Sequence, residues 1–356
     1  MSSLTWPDIT TRLMSRHDLS SDETAWAMDQ VMTGQTSPVV LAGFLTALAT
    51  KGETTEELLG LANSMQAHAA RVDLSSDSLD IVGTGGDRLR TVNISTTASL
   101  VIAAAGVRVV KHGNRASSSK SGSADCLEAL GVDLDLPIDA VEEVFRQLGI
   151  TFLFATKFHP SMKYAAQARR ELAVPTAFNV LGPLTNPAKP ESSAIGVSNP
   201  AHAPLVAGVL SRRGNRALVF RGENGMDEMS AICPNHVWEV REGAVTEHRF
   251  DAVAELGIAQ ASVDDLRGQD AEYNAAVTRN VVRGERSKVR EAVSLNAAAA
   301  FVADGRLPGL EPHSGSFAQR MQRGFALAEQ TIDCGAANDL LERWVQLSQE
   351  LAADSN

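Results

Sequence analysis

From about residue 73 onward, short apolar runs rich in β-branched residues alternate with helical patterns, and that rhythm constrains the fold more than any other feature. The apolar runs are Ile81-Val82, Val107 to Val110, Ile150 to Phe154 and Ala217 to Phe220; helical patterns such as Ala98 to Ala105, Ala124 to Leu130 and Asp139 to Leu148 lie between them. Strands that alternate with helices pair in parallel, so the expectation is an α/β fold with a mostly parallel central sheet. The stretch "HVWEVREGAVTEHRF" departs from the rhythm and reads as an antiparallel hairpin turning at Glu242-Gly243. The first 70 or so residues differ again. Ser20 to Glu23 and Thr54 to Glu57 have capping-box spacing, and Ser37-Pro38 opens a further run, so a small all-helical unit is expected there, with "RVDLSSDSLD" as its exit linker.

At 356 residues the chain can hold two domains, or one large one, with a sizeable core. No stretch has the uninterrupted apolar length of a bilayer span and the first residues lack a signal-peptide pattern, so a cytoplasmic protein with no membrane partner is expected. Cys126, Cys233 and Cys334 lie far apart without metal-finger spacing, which predicts reduced thiols filling small apolar gaps. A net charge of −11 argues against a general nucleic-acid binder. Its distribution says more. Arg88, Arg90, Arg108, Lys111, Arg115 and Lys120 fall in a stretch with no acid between Asp87 and Asp125, which predicts a local anion site wherever the loops of that stretch meet.

The segment "DIVGTGGDRLRTVNIST", residues 80 to 96, follows one apolar run with glycines that permit positive φ and bare-backbone contact. Asn93, Ser95 and Thr96 then offer amide and hydroxyl groups at an expected helix start, where anions bind well. The spacing fits neither a P-loop nor a dinucleotide fingerprint, and taken alone it suits a structural turn as well as a phosphate site. "GTGGD" after Val82 and "KHGNR" after Val110 both sit at the carboxyl ends of expected strands, where open α/β sheets bind ligands.

Together with "GTGGD" and "NIST", the segments "KHGNRASSSKSGSADCLEALG" (111–131), "FNVLGPLTNPA" (178–188) and "GMDEMS" (225–230) resemble the anthranilate phosphoribosyltransferases. The resemblance runs on through "HPSMKYAAQARREL" (159–172) and the "LNAAAA" helix near 295, and so covers nearly the whole chain. It implies an enzyme of the nucleoside-phosphorylase-like class that joins anthranilate to 5-phosphoribosyl-1-pyrophosphate, with Mg²⁺ as cofactor, two ions per subunit. The implied architecture is a helical domain, residues 1–72, joined in space by about 160–185 and hinged to an α/β domain, residues 73–356. A homodimer through the helical domain is implied as well.

The same resemblance implies the site. Gly83, Thr84, Gly85, Gly86 and Asp87 would hold pyrophosphate with Thr91, Asn93, Ser95 and Thr96; Lys111 would add positive charge; Asn114, Ser119 and Ser123 would hold the ribose 5-phosphate end. Gly83, His112, Asn114, Tyr164, Arg170 and Pro183 would line the anthranilate pocket. A guanidinium fork suits a planar carboxylate, and Arg170 is the matched arginine, with Arg169 expected to face solvent. Asp227 and Glu228, with Ser95, would bind the metal, since adjacent carboxylates beside phosphate repel it unless a hard, oxygen-seeking cation intervenes. Two residues depart from the family pattern: Arg88 stands where glycine is common, and Arg221 stands before Gly222, where histidine is frequent. A nucleoside phosphorylase would need a base pocket rather than a carboxylate clamp, and a nucleic-acid-binding relative would sit poorly with the acidic charge and the Asp227-Glu228 pair.

Overall fold

The computed structural model describes residues 4–116 and 120–354; the expected ligand Ser119 lies outside them. The amino-terminal helices are α1 (Trp6–Met14), α2 (Ser21–Met32), α3 (Pro38–Lys51) and α4 (Thr55–Ala67). Their starts are where the sequence marks them. Ser20 with Glu23, and Thr54 with Glu57, form reciprocal capping boxes, and Ser37 caps α3 with Pro38 at its first position. Glu57 also accepts the Leu19 amide at 2.9 Å and pairs with Lys51, so one buried acid ties three segments of the bundle together.

Among the described residues seven strands form one sheet: β1 (Leu79–Gly83), β2 (Val109–Gly113), β3 (Ile150–Phe154), β4 (Ser192–Gly196), β5 (Arg216–Gly222), β6 (Asn235–Arg241) and β7 (Ala244–Phe250). Their order is β3-β2-β1-β4-β5-β6-β7, parallel from β3 to β5 and antiparallel from β5 to β7. The expected hairpin is β6-β7; Glu242 and Gly243 both have positive φ, as a two-residue turn matching the strand twist requires. Helix α5 (Ile94–Ala104) follows β1. The apolar pattern of the sequence does not reveal β4, although it occupies the middle of the sheet. "SSAIG" is too small and polar to register, yet all five residues are buried, and Ser192 Oγ donates to the Ser78 carbonyl and to Asp304.

Side chains alternate across the sheet with period two. Leu218 and Phe220 enter one core with β1, β2, α5 and the helix Lys288–Asp304, while Ala217 and Val219 enter a second. That second core also takes Leu41, Phe44, Leu48 and Leu61 of the helical bundle, Ala165 and Ala168 of the helix Lys163–Leu172, and Phe178, Leu181 and Leu184. The cysteines are free thiols, but only Cys126 fills the core as expected; Cys334 is exposed, because it caps the carboxyl end of the helix Phe317–Asp333. Among the described residues no helix is long and apolar enough to cross a membrane.

Candidate active site

The sheet changes direction between β1 and β4, since the chain moves from β1 outward to β2 and β3 and then returns to β4 on the other side. Such a reversal opens a crevice at the carboxyl ends of the strands. Gly83 and Gly196 are paired there, and Asp227, from the loop after β5, lies across both. A Cβ on Gly196 would collide with the Asp227 carbonyl, and one on Gly83 with its carboxylate. Both strands therefore end in glycine. Asp227 Oδ2 accepts the Gly85 amide at 2.6 Å, and Thr84 donates its amide to the Gly196 carbonyl at 2.9 Å. Gly85 and Gly86 are left-handed, and so are Arg88 (φ 62°) and Arg90 (φ 56°), an arrangement only glycine adopts freely. Asp87 accepts the Leu89 amide at 3.0 Å, and Thr91 is bridged to Arg267.

Buried acids crowd this crevice. Burial and the neighbouring Asp87 push the Asp227 carboxyl up to about 7. Burial, Asp227 and Asp87 push Glu228 up to about 8, against the pull of Lys111 and the Ser95 amide. Their loop is fixed from behind: Asn296 accepts the Met229 amide at 3.1 Å and donates to its carbonyl at 2.8 Å. Asn296 is the polar residue of "LNAAAA", and one amide in an alanine-rich buried helix is the signal that marks it.

Lys111 is buried behind the loop, donating to the Ile81 carbonyl at 2.6 Å and to Ser95 Oγ at 3.3 Å, and burial lowers its pKa although Asp80 and Glu228 oppose this. Asn93 begins α5, but its side chain does not cap the helix. It accepts from Asn274 at 2.8 Å and from Ser121 Oγ at 3.2 Å, so it braces the loop after β2. Thr96 Oγ1 is buried without a partner among the described residues. Asn114 accepts from Thr156 with its side chain and from Ser123 Oγ with its carbonyl. The acid-free stretch does not gather into one basic site: Arg108 precedes β2 at the opposite end of the sheet, and Arg115 turns to Asp125 and Glu128.

Among the residues expected to line the acceptor pocket, His112 is buried and its Nδ1 lies 3.2 Å from the Gly182 carbonyl. Burial and His159, whose ring is 5.1 Å away, lower it to about 3, and burial lowers His159 to about 4; Nε2 of each has no partner among the described residues. Pro183 is buried in the turn Gly182–Leu184. Beneath it, Asn186 donates to Asp80 at 2.8 Å and to the Val110 carbonyl at 2.7 Å, a brace the sequence reading missed. The exposed Tyr164 lies against Gly34, its Cε1 2.8 Å from where a Cβ would stand. Arg169 and Arg170 are both exposed, as expected for Arg169, but the Arg169 guanidinium lies 5.1 Å from the Phe178 ring centroid, and the burial of that group lowers its pKa.

The acid set fits a hard divalent cation. Three mutually repelling carboxylates meet in the crevice, yet among the described residues no group of three or more His, Cys, Asp or Glu side chains is arranged to enclose a metal. Mg²⁺ is commonly held by one or two carboxylates and completed by substrate phosphates and water, and Asp227 and Glu228 could supply that pair.

Comparison with known proteins gives the family and supports the fold. Residues 7–69 match the helical bundle domain of a glycosyl transferase family, and residues 75–338 match its α/β domain. The anthranilate phosphoribosyltransferase of Arthrobacter sp. (strain FB24) is 55% identical over 345 residues, 97% of this chain and 96% of that one. A crystal structure of the enzyme of that name from Thermus thermophilus superposes with a TM-score of 0.87 at 42% identity, covering 96% of this chain and 99% of that one. The Saccharomyces cerevisiae enzyme in complex with PRPP and Mg gives 0.86 at 26% identity, covering 98% and 99%. With matches over both its helical and its α/β parts, the chain belongs to the anthranilate phosphoribosyltransferases of the glycosyl transferase family.

Proposed function

We propose that this chain transfers the phosphoribosyl group of 5-phosphoribosyl-1-pyrophosphate to the amine of anthranilate, giving N-(5-phosphoribosyl)anthranilate and pyrophosphate in tryptophan biosynthesis. The observation that carries this is the meeting of the glycine loop with Asp227 and Glu228 at the reversal of the sheet. Asp227 and Glu228, with Ser95 beside them, would hold Mg²⁺. The bound cation offsets the charge that develops on departing pyrophosphate. Two ions per subunit suit a site in which three acids face a donor that brings further negative charge. The amides of the glycine loop and Thr96 Oγ1 are the donors offered to pyrophosphate; Asn114 and Ser123 stand at the ribose 5-phosphate side.

Anthranilate, whose aromatic amine is neutral at pH 7, needs orientation more than deprotonation. His112 is held neutral, and a substrate group would satisfy its unpartnered Nε2. Of the adjacent arginines, Arg169 rather than Arg170 suits the carboxylate clamp. Its guanidinium is stacked on Phe178, four residues before the Gly182 that binds His112. Arg170 and Tyr164 then belong to the rim.

A homodimer through the helical part is the reading of the exposed groove between α1 and α3, about 570 Å³, lined by Leu13, Met14, Ala42, Gly43 and Ala47. Met14 is 76% exposed and Val39 on the same helix pair 81%, apolar surface that a second copy would cover. The expected location is the cytoplasm. The test is fluorescence-monitored consumption of anthranilate with phosphoribosyl pyrophosphate and Mg²⁺, each omitted in turn. Loss of anthranilate only with both present is expected, and consumption that ignores either one overturns the assignment.

A further inference from the structure

Arg221, one of the two departures from the family pattern, ends up tying three strand-end loops together. Its Nη2 donates to the main-chain oxygen of Ser198 at 3.4 Å, and its Nε is buried with no partner among the described residues. The guanidinium lies against the turn that the Gly222 amide closes on the Met226 carbonyl at 2.9 Å, where the left-handed Gly225 comes next to it: a Cβ there would stand 3.7 Å from Nη2, an ordinary contact. Ser198, just past β4, donates its hydroxyl to the Gly85 carbonyl at 2.8 Å and its amide to Thr84 Oγ1 at 3.2 Å. Gly85 is thus held on both sides, its amide by Asp227 and its carbonyl by Ser198.

We propose that Arg221 is a positioning residue for the phosphate-binding loop: it fixes residue 198, which fixes Gly85, so the loop meets the pyrophosphate of the donor already in its receiving shape. The proposal rests on the phosphoribosyl pyrophosphate reading given above. A loop of glycines has many conformations to lose when a ligand orders it, and fastening one of its residues beforehand removes part of that cost from the binding step. Arg221 touches no substrate in this scheme. Its influence passes through residue 198, whose hydroxyl holds the Gly85 carbonyl and whose amide meets Thr84.

The experiment measures the dissociation constant of phosphoribosyl pyrophosphate by calorimetry with Mg²⁺ present, and both Michaelis constants, for Arg221→Ala, Ser198→Ala, the double variant and Arg221→Lys. Each single alanine change should weaken donor binding about three- to tenfold, the worth of one hydrogen bond, with the anthranilate constant and melting temperature unmoved. The double variant should be no worse than the poorer single one, because both cut the same chain of contacts. Arg221→Lys, which keeps a charged donor, should recover part of the loss. If Arg221→Ala does not fold, Arg221→Lys measured with and without Ser198→Ala decides by the same non-additivity. Additive losses, equal losses for both substrates, or no loss overturn the proposal. A wild-type protein that binds no donor overturns instead the function on which it rests.

Discussion

The Asp227 carboxylate accepts the Gly85 amide at 2.6 Å, so the acid proposed to hold the cation and the loop proposed to hold pyrophosphate are built in contact. The contact depends on Gly196, over which Asp227 lies. Gly196→Ala would drive a Cβ into a backbone carbonyl that has no side-chain freedom to yield. Stability should fall by about 1–3 kcal/mol in urea unfolding, and Mg²⁺ should bind more weakly by calorimetry. An alanine protein with normal stability and metal affinity would show that the Asp227 loop moves freely.

Replacing the acids should separate activity from stability. Asp227→Asn with Glu228→Gln keeps shape and removes charge, so turnover should drop more than about 100-fold if the cation supplies several kcal/mol. Without Mg²⁺ the variant should melt no lower than wild type, since burial already disfavours both charges. Turnover and melting temperature of the two proteins check both halves.

Arg169→Ala should raise the anthranilate Michaelis constant by about 10- to 150-fold, the worth of a charge-assisted bond of roughly 1.5–3 kcal/mol. Arg170→Ala should change it little, and the donor constant should hold in both. The reverse ranking in steady-state kinetics would return the clamp to Arg170.

His112 and His159 titrate at about 3 and about 4 in the folded chain, below the ordinary 6.5 of the unfolded one. Below pH 6.5 the unfolded chain therefore takes up protons that the folded chain refuses. Their stability contribution is complete above 6.5 and is lost as pH falls toward 4, by about 1.4 kcal/mol per pH unit for each histidine. A His112→Gln, His159→Gln protein should lose stability less steeply over that range, as chemical denaturation at pH 4.5 to 6.5 will report.

Arg88 adopts φ 62°, which costs a non-glycine residue about 1–2 kcal/mol, while glycine loses about 0.5–1 kcal/mol more entropy on folding than other residues. Arg88→Gly should thus gain roughly 0.5–1 kcal/mol in denaturant midpoint analysis. The position favours glycine for backbone reasons, and a loss of stability would instead mean that the arginine side chain contributes to the fold.

The helix caps, the β6-β7 hairpin and the flanking strands could be read from sequence because each rests on local chemistry: a capping hydroxyl, two turn residues, a run of β-branched side chains. The central strand could not, because "SSAIG" owes its place to neighbours, with Ser192 bonded to Ser78 and Asp304 and Gly196 shaped by Asp227. In the site, the glycine loop and the acids stood out, whereas Ser198 and Asn186 act through folded contacts that no short motif displays. Helical phase is the sequence signal that favours Arg169 over Arg170 for the proposed clamp. Arg169 lies four residues after the buried Ala165, while Arg170 lies three and four after the exposed Gln167 and Ala166.

The second core has a consequence for the nascent chain. Helices α1 to α4 leave the ribosome first, but Ala165, Ala168, Phe178, Leu181 and Leu184, which complete their packing, follow more than a hundred residues after α4 begins. At about 5–20 residues per second, that leaves the young bundle with an uncovered apolar face for roughly 6–25 seconds. Translation speed through β1 to β3 sets the length of that interval, although it leaves no mark on the finished molecule.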